Sequence, residues 1–108
     1  MINLITEISD VEFDNCTFES NMPAMVMFSA ARCSVCTQLL PVVEEIAAKY
    51  TGSLNVYKIN VDIYKPMAAR FRLKGIPQLL IFKDGEIKER IGGLRSEEEL
   101  AEMIDKLV

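Results

Sequence analysis

The chain contains no histidine, and this absence excludes several kinds of active site. Cys–His and Ser–His nucleophile pairs need an imidazole as their base, and no imidazole is present. Three cysteines without histidine also cannot fill the four positions of a tetrahedral zinc site. A closed Cys/His zinc site within one chain is therefore excluded, and we expect no bound metal. A site completed by a carboxylate, or a zinc or iron–sulfur site shared across a dimer, stays open.

Long apolar runs are missing as well. No stretch approaches the roughly 20 apolar residues that cross a bilayer, so we expect no membrane span. The net charge is −4 and the basic residues are scattered, which argues against a nucleic-acid partner. The first seven residues have no basic region, apolar segment or cleavage site typical of a secretory signal. We therefore expect a cytoplasmic location, where a close cysteine pair is more often catalytic or metal-binding than structural.

What the chain does contain is a Cys-x-x-Cys pair, Cys33 and Cys36, between a strand pattern and a helix pattern. The continuous apolar run 25–28 predicts a buried strand, and small residues at 29–31 allow the chain to leave the sheet. Apolar residues then recur at helical spacing from Cys36 to Tyr50. Cys33 should thus lie at a helix start, where free N–H groups and the helix dipole favour a thiolate.

The spacing of this pair predicts disulfide exchange. Two cysteines in the first turn of a helix can reach each other, so one can attack a disulfide and the other can resolve the mixed disulfide. An inert buried pair is the alternative interpretation. The third cysteine, Cys16, stands alone on an amphipathic helix pattern, which is typical of a small core residue.

The remaining patterns predict a single α/β domain over residues 1–108, with one central mixed sheet and helices on both faces. Ser9 with Glu12 and Ser96 with Glu99 have the spacing of capping boxes, which predicts helices beginning near residues 10 and 97. A short helix should start near Pro66. The predicted strands are 2–5, 25–28, 54–61, 76–82 and 86–91, the last two joined by a tight turn at 84–85.

Four segments together resemble the thioredoxin family over essentially the whole chain. They are residues 28–36 around the cysteine pair, Pro41 inside the following helix pattern, the segment 58–62, and Gly-Ile-Pro with the strand and turn that follow at 75–86. The resemblance implies a thioredoxin fold, with a five-stranded mixed sheet flanked by four helices. It also implies a cis peptide bond before Pro77, facing the cysteines. Gly75, Ile76, Gly92 and Gly93, with the loop at 31–32, would then form a shallow apolar surface that binds the substrate strand.

The chain departs from the family around the cysteines. Typical thioredoxins have Trp-Cys-Gly-Pro-Cys, whereas residues 32–36 are Arg-Cys-Ser-Val-Cys. Without the internal proline, the N–H of Val35 becomes available to the Cys33 thiolate. Oxidase-like members have a histidine between the two cysteines, whereas Ser34 and Val35 stand there in this chain, which favours a reductase. Arg32 places a positive charge beside Cys33 and should lower the pKa of its thiol.

A second departure concerns the proton of the resolving cysteine. Typical members carry a buried aspartate in the central strand that assists this cysteine, and Met27 occupies that position here. Lys58 matches the lysine that pairs with that aspartate in the family, so Lys58 lacks this partner here. Proton transfer from Cys36 would then run to Lys58 through water, or to bulk water alone.

The sequence therefore predicts a thioredoxin-type protein disulfide reductase that cycles Cys33 and Cys36 between dithiol and disulfide. Its partners would be disulfide-containing proteins and a reductase or other thiol donor that recharges it. No cofactor beyond the redox-active disulfide is expected. A disulfide oxidase or isomerase is one alternative, and a non-catalytic binding or redox-sensing module on the same fold is another.

Overall fold

The structure is a computed structural model that describes residues 4–108. The described strands are β1 (Ile5–Glu7), β2 (Ala24–Ser29), β3 (Asn55–Asn60), β4 (Gln78–Lys83) and β5 (Glu86–Gly92), and the helices are α1 (Asp10–Cys16), α2 (Ser34–Lys49), α3 (Pro66–Arg70) and α4 (Glu97–Asp105). The expected five-stranded sheet with four helices is confirmed. Within residues 4–108, none of the helices has the length and apolar character needed to span a bilayer.

The sheet order brings four chain segments to one edge. The strands lie in the order β1-β3-β2-β4-β5, with β1, β3 and β2 parallel and β4 antiparallel to both β2 and β5. Ser29 at the end of β2 is level with Asn60 at the end of β3. Gln78 at the start of β4 pairs with Phe28 and with Gly92. Because β2 leads to Cys33, we call this the Cys33 edge of the sheet.

Two apolar layers cover the two faces of the sheet. One layer contains the inner stripes of α2 and α4, including Leu39 and Leu100, both fully buried. The other contains Phe13 from α1 and Met67 from α3. Half-buried Ile76, just before β4, packs against both layers. Successive side chains along each strand therefore point into the two layers in turn, as expected for a sheet with helices on both faces.

Local sequence signals fix several of these elements. Both predicted capping boxes are present, because the Ser9 and Ser96 side chains accept hydrogen bonds from the backbone N–H groups of Glu12 and Glu99, and each glutamate bonds back. In the predicted turn, Asp84 and Gly85 have φ of 54° and 77°, as a tight hairpin between twisted strands requires.

Several predicted boundaries are wrong. The first strand was predicted over 2–5, but β1 runs from Ile5 to Glu7 because it pairs with Val56 to Lys58 of β3; residues 2 and 3 lie outside the described part. The strand predicted over 76–82 begins at Gln78 in the structure, because Pro77 has no N–H with which to extend the ladder. The strand predicted over 54–61 is one residue shorter at each end.

Candidate functional site

Cys33 and Cys36 form a disulfide at the start of α2, with their Cα atoms 5.2 Å apart. Cys33 is the N-cap of the helix, and its Sγ accepts a hydrogen bond of 3.1 Å from the backbone N–H of Cys36. Cys33 is half-buried, whereas Cys36 is 4% exposed and belongs to the core layer under α2. The two sulfurs therefore differ in access, and only that of Cys33 is positioned to meet a large substrate.

The disulfide form shows which donor reaches Cys33 Sγ, while the bond from Val35 N–H to the reduced thiolate stays a prediction. The donor is Cys36 N–H, and no bond from Val35 N–H to Cys33 occurs among the described hydrogen bonds. Ser34 and Val35 instead form the exposed first turn of α2. The missing proline therefore does not add a donor to the sulfur in this disulfide form.

Arg32 is paired with a carboxylate. Its Nε and Nη2 donate to the two carboxylate oxygens of Asp62 at 2.8 and 3.1 Å, which joins the β2–α2 loop to the loop after β3. The positive charge beside Cys33 thus comes with an adjacent negative charge. Sequence reasoning considered Arg32 without this carboxylate, and the effect of Arg32 on the pKa of the Cys33 thiol stays a prediction.

A cavity of about 240 Å³ lies behind Cys36. Met27, Lys58 and Glu7 contribute to its wall from three neighbouring strands. Glu7 and Met27 are the Cα partners of Lys58 on its two sides, so the three side chains lie in one row on one face of the sheet. The cavity therefore gives Cys36 a route to two ionisable groups, although the central-strand position is apolar.

Glu7 was not found by sequence reasoning. Its signal was the pattern of β1, since Ile5 belongs to the core layer on the Cys36 side and Glu7, two residues later, points to that same face. This alternation identifies Glu7 only once the parallel pairing of Glu7 with Lys58 is known. A strand predicted to end at Ile5 leaves Glu7 outside the sheet.

Pro77 lies at the Cys33 edge after a cis peptide bond to Ile76. Pro77 is buried, and its carbonyl accepts a 3.1 Å hydrogen bond from the N–H of Gly93, which ties the loop before β4 to the loop after β5. In the described part of the chain, no hydrogen bond uses the backbone N–H or carbonyl of Ile76. An extended peptide could therefore pair with this residue.

Exposed apolar side chains surround these groups. Val35 is 37% exposed and Leu94, directly after Gly93, is 52% exposed. Gly75 and Gly92 are also exposed and lack side chains that would block approach to Ile76. Leu94 was another residue that sequence reasoning missed, although it directly follows Gly93, which was expected in this surface.

Cys16 lies away from this site. It ends α1, is half-buried, and packs against the layer that contains Phe13. Burial raises the pKa of its thiol, although a side-chain hydrogen bond with Tyr57 acts in the opposite direction. A thiol with a raised pKa has little thiolate at neutral pH, which agrees with its interpretation as a core residue.

Comparison with known proteins agrees with this geometry. The thioredoxin family model matches residues 4–106. The thioredoxins of Staphylococcus aureus strains Mu50, MW2 and N315 are each 37% identical over 102 residues, which cover 94% of this chain and 96% of the relative. Together with a Cys-x-x-Cys pair joined as a disulfide, these matches indicate a thioredoxin-type disulfide reductant that acts on disulfide-containing proteins and is recharged by a reductase. The chain belongs to the thioredoxin family.

Proposed function

We propose that Cys33 attacks the substrate disulfide and that Cys36 resolves the product. The Cys33 thiolate forms a new S–S bond with one substrate sulfur, and the other substrate sulfur leaves as a thiolate. Cys36 then loses its proton and attacks Cys33 Sγ, which closes the Cys33–Cys36 disulfide and releases the second substrate thiolate. The substrate gains two electrons and the chain loses two. The contrast between half-buried Cys33 at the N-cap and buried Cys36 supports this assignment.

The substrate would bind as an extended segment along Ile76. The unpartnered N–H and carbonyl of Ile76 can form the main-chain bonds of an added strand. Val35 and Leu94 offer apolar contacts on the two sides, and the absence of side chains at Gly75 and Gly92 allows the segment to approach. Pro77, Gly93 and their hydrogen bond would fix the loop that carries Ile76.

The proton of Cys36 would leave into the cavity behind it. Glu7 and Lys58 are the only ionisable residues besides Cys36 that line this cavity in the described part of the chain. Water in the cavity can carry the proton from the thiol to the Glu7 carboxylate, which lies beside Lys58 in the cavity wall. This route needs no acid at Met27.

The cycle closes when a reductase or another thiol donor reduces the Cys33–Cys36 disulfide. A donor of this kind operates in a reducing compartment, so we place the protein in the cytoplasm. No metal or organic cofactor enters these steps, because the two cysteines themselves carry the electrons.

Three serine variants test the assignment. Cys33→Ser should abolish reduction of a protein disulfide, whereas Cys36→Ser should perform the first attack and accumulate a mixed disulfide that mass spectrometry detects. Cys16→Ser is the matched control and should keep normal turnover. Full turnover by the Cys33 variant, or trapping by the Cys33 variant instead of the Cys36 variant, would overturn the roles.

The reduction potential of the pair tests the direction of electron flow. Equilibration with dithiothreitol or glutathione buffers should give a reduction potential of about −270 mV, the value for thioredoxin itself. A value between roughly −180 and −120 mV, where isomerases and oxidants lie, would reverse the proposed direction of transfer.

A further inference from the structure

An open groove of about 480 Å³ lies beside Pro77 and has a concentration of positive charge. Arg72, Lys74 and Arg90 line it, and none of its lining residues is acidic. Arg72 and Lys74 belong to the loop before β4, and Arg90 belongs to β5. The chain as a whole has a net charge of −4, so this groove differs in sign from the average surface.

In the described part of the chain, the three cations form no salt bridge with a carboxylate. Five salt bridges occur within residues 4–108, and they use Arg32, Lys49, Arg70, Lys88 and Arg95. Arg72, Lys74 and Arg90 are exposed and form none. Nη1 of Arg90 donates to the carbonyl of Phe71 at 2.7 Å, which holds this guanidinium against the loop and leaves its charge uncompensated.

The groove is continuous with the strand-binding position proposed above. Gly75, Pro77 and Gly92 belong to its wall, and Gly75 and Pro77 flank Ile76, whose backbone groups are unpartnered. A peptide paired with Ile76 would therefore extend over the groove, and the residues flanking its cysteine would lie near the three cations. Charge complementarity then favours Asp and Glu at those flanking positions.

We propose that the groove formed by Arg72, Lys74 and Arg90 selects protein substrates whose disulfide is flanked by acidic residues in an extended segment. This inference rests on the proposed function, because it assumes that the substrate strand binds along Ile76. The cations act on binding and take no part in the exchange of sulfur bonds.

Two synthetic peptides with the same intramolecular disulfide provide the probe, one flanked by three glutamates and the other by three lysines. The reduced protein should reduce the glutamate peptide about threefold faster in low salt, since three exposed ion pairs at the low end of the usual range contribute about 1.4-fold each. The net negative charge of the chain alone would favour the lysine peptide. The preference should shrink as sodium chloride is added, because salt screens exposed charges.

The variant R72Q/K74Q/R90Q should lose this preference. K49Q/K65Q/K106Q is its control, because it removes the same number of positive charges from exposed positions that do not line the groove, and it should keep the wild-type preference. Equal rates for the two peptides in the wild type, a preference that survives in the groove variant, or an equal loss in both variants would overturn the inference. Failure to reduce either peptide would instead refute the proposed function.

Discussion

Phe13 holds together the core layer on the α1 side of the sheet, and replacing it should cost a large part of the stability of the domain. Its side chain is fully buried. Its ring lies 5.0 Å from that of Phe71, 5.7 Å from Phe82 and 5.8 Å from Phe28, measured between centroids. Phe13→Ala therefore removes one member of three aromatic pairs and leaves a cavity at their centre.

The expected cost is near the upper end of the usual range. Buried Phe→Ala substitutions lower the free energy of unfolding by about 3–5 kcal/mol, and aromatic pairs add about 0.5–1.5 kcal/mol beyond the area they bury. We therefore expect about 4–5 kcal/mol for Phe13→Ala. A domain of this kind has a total stability of about 5–15 kcal/mol, so the variant should fold with a reduced margin.

Urea unfolding followed by circular dichroism measures this loss. The midpoint should fall with little change in the slope, because the surface exposed on unfolding stays similar. Phe13→Leu is the control, since it keeps most of the apolar volume and should lose clearly less stability. A loss below about 1.5 kcal/mol for Phe13→Ala would refute the reasoning, because it would mean that the layer repacks freely around the cavity.

Three further predictions concern charge and protons. Asp62→Asn should lower the pKa of the reduced Cys33 thiol by leaving the Arg32 charge uncompensated, as measured by the pH dependence of alkylation; an unchanged profile would contradict the pairing seen here. Burial and a hydrogen bond to the Asp105 carboxylate raise the pKa of Tyr50 to about 12, above its ordinary value of 10.0. The free energy of unfolding should therefore fall as pH rises between these two values, because only the unfolded state loses the Tyr50 proton there. In thermal melts at high pH, Tyr50→Phe should lack this pH-dependent loss of stability. Glu7→Gln should slow the resolving step relative to the first attack in rapid-mixing experiments, and equal slowing of both steps would argue against the cavity route.

Features that depend on a few consecutive residues could be predicted from the sequence. The capping boxes at Ser9 and Ser96 and the turn at Asp84 follow from local hydrogen bonding and backbone preference. The helix start at Cys33 follows from the change of apolar period beside it. These signals, taken together with the resemblance, were sufficient for the fold and for the placement of the cysteine pair.

Features that depend on strand register could not be predicted in this way. Glu7 lines the cavity behind Cys36 only because β1 extends two residues beyond Ile5, where the predicted strand ended, and pairs there with Lys58. Arg32 meets Asp62 from a loop thirty residues away. Arg72 and Arg90 lie on different elements and share a groove because β4 and β5 bring their neighbourhoods together. Each of these contacts needs the sheet order before it can be inferred.

The position of Ile76 between the two apolar layers has a consequence for motion at the substrate surface. Ile76 packs against both layers, and the adjacent Pro77 is bound to Gly93 through its carbonyl. The residue that would receive the substrate strand is thus anchored from above and below the sheet. A segment anchored in this way should open only when part of one layer opens with it. The amide of Ile76 has no hydrogen-bond partner among residues 4–108, yet it belongs to a surface that is rigid before the substrate arrives. Binding a strand there would then cost little ordering of the protein, and most of the entropy lost would come from the substrate.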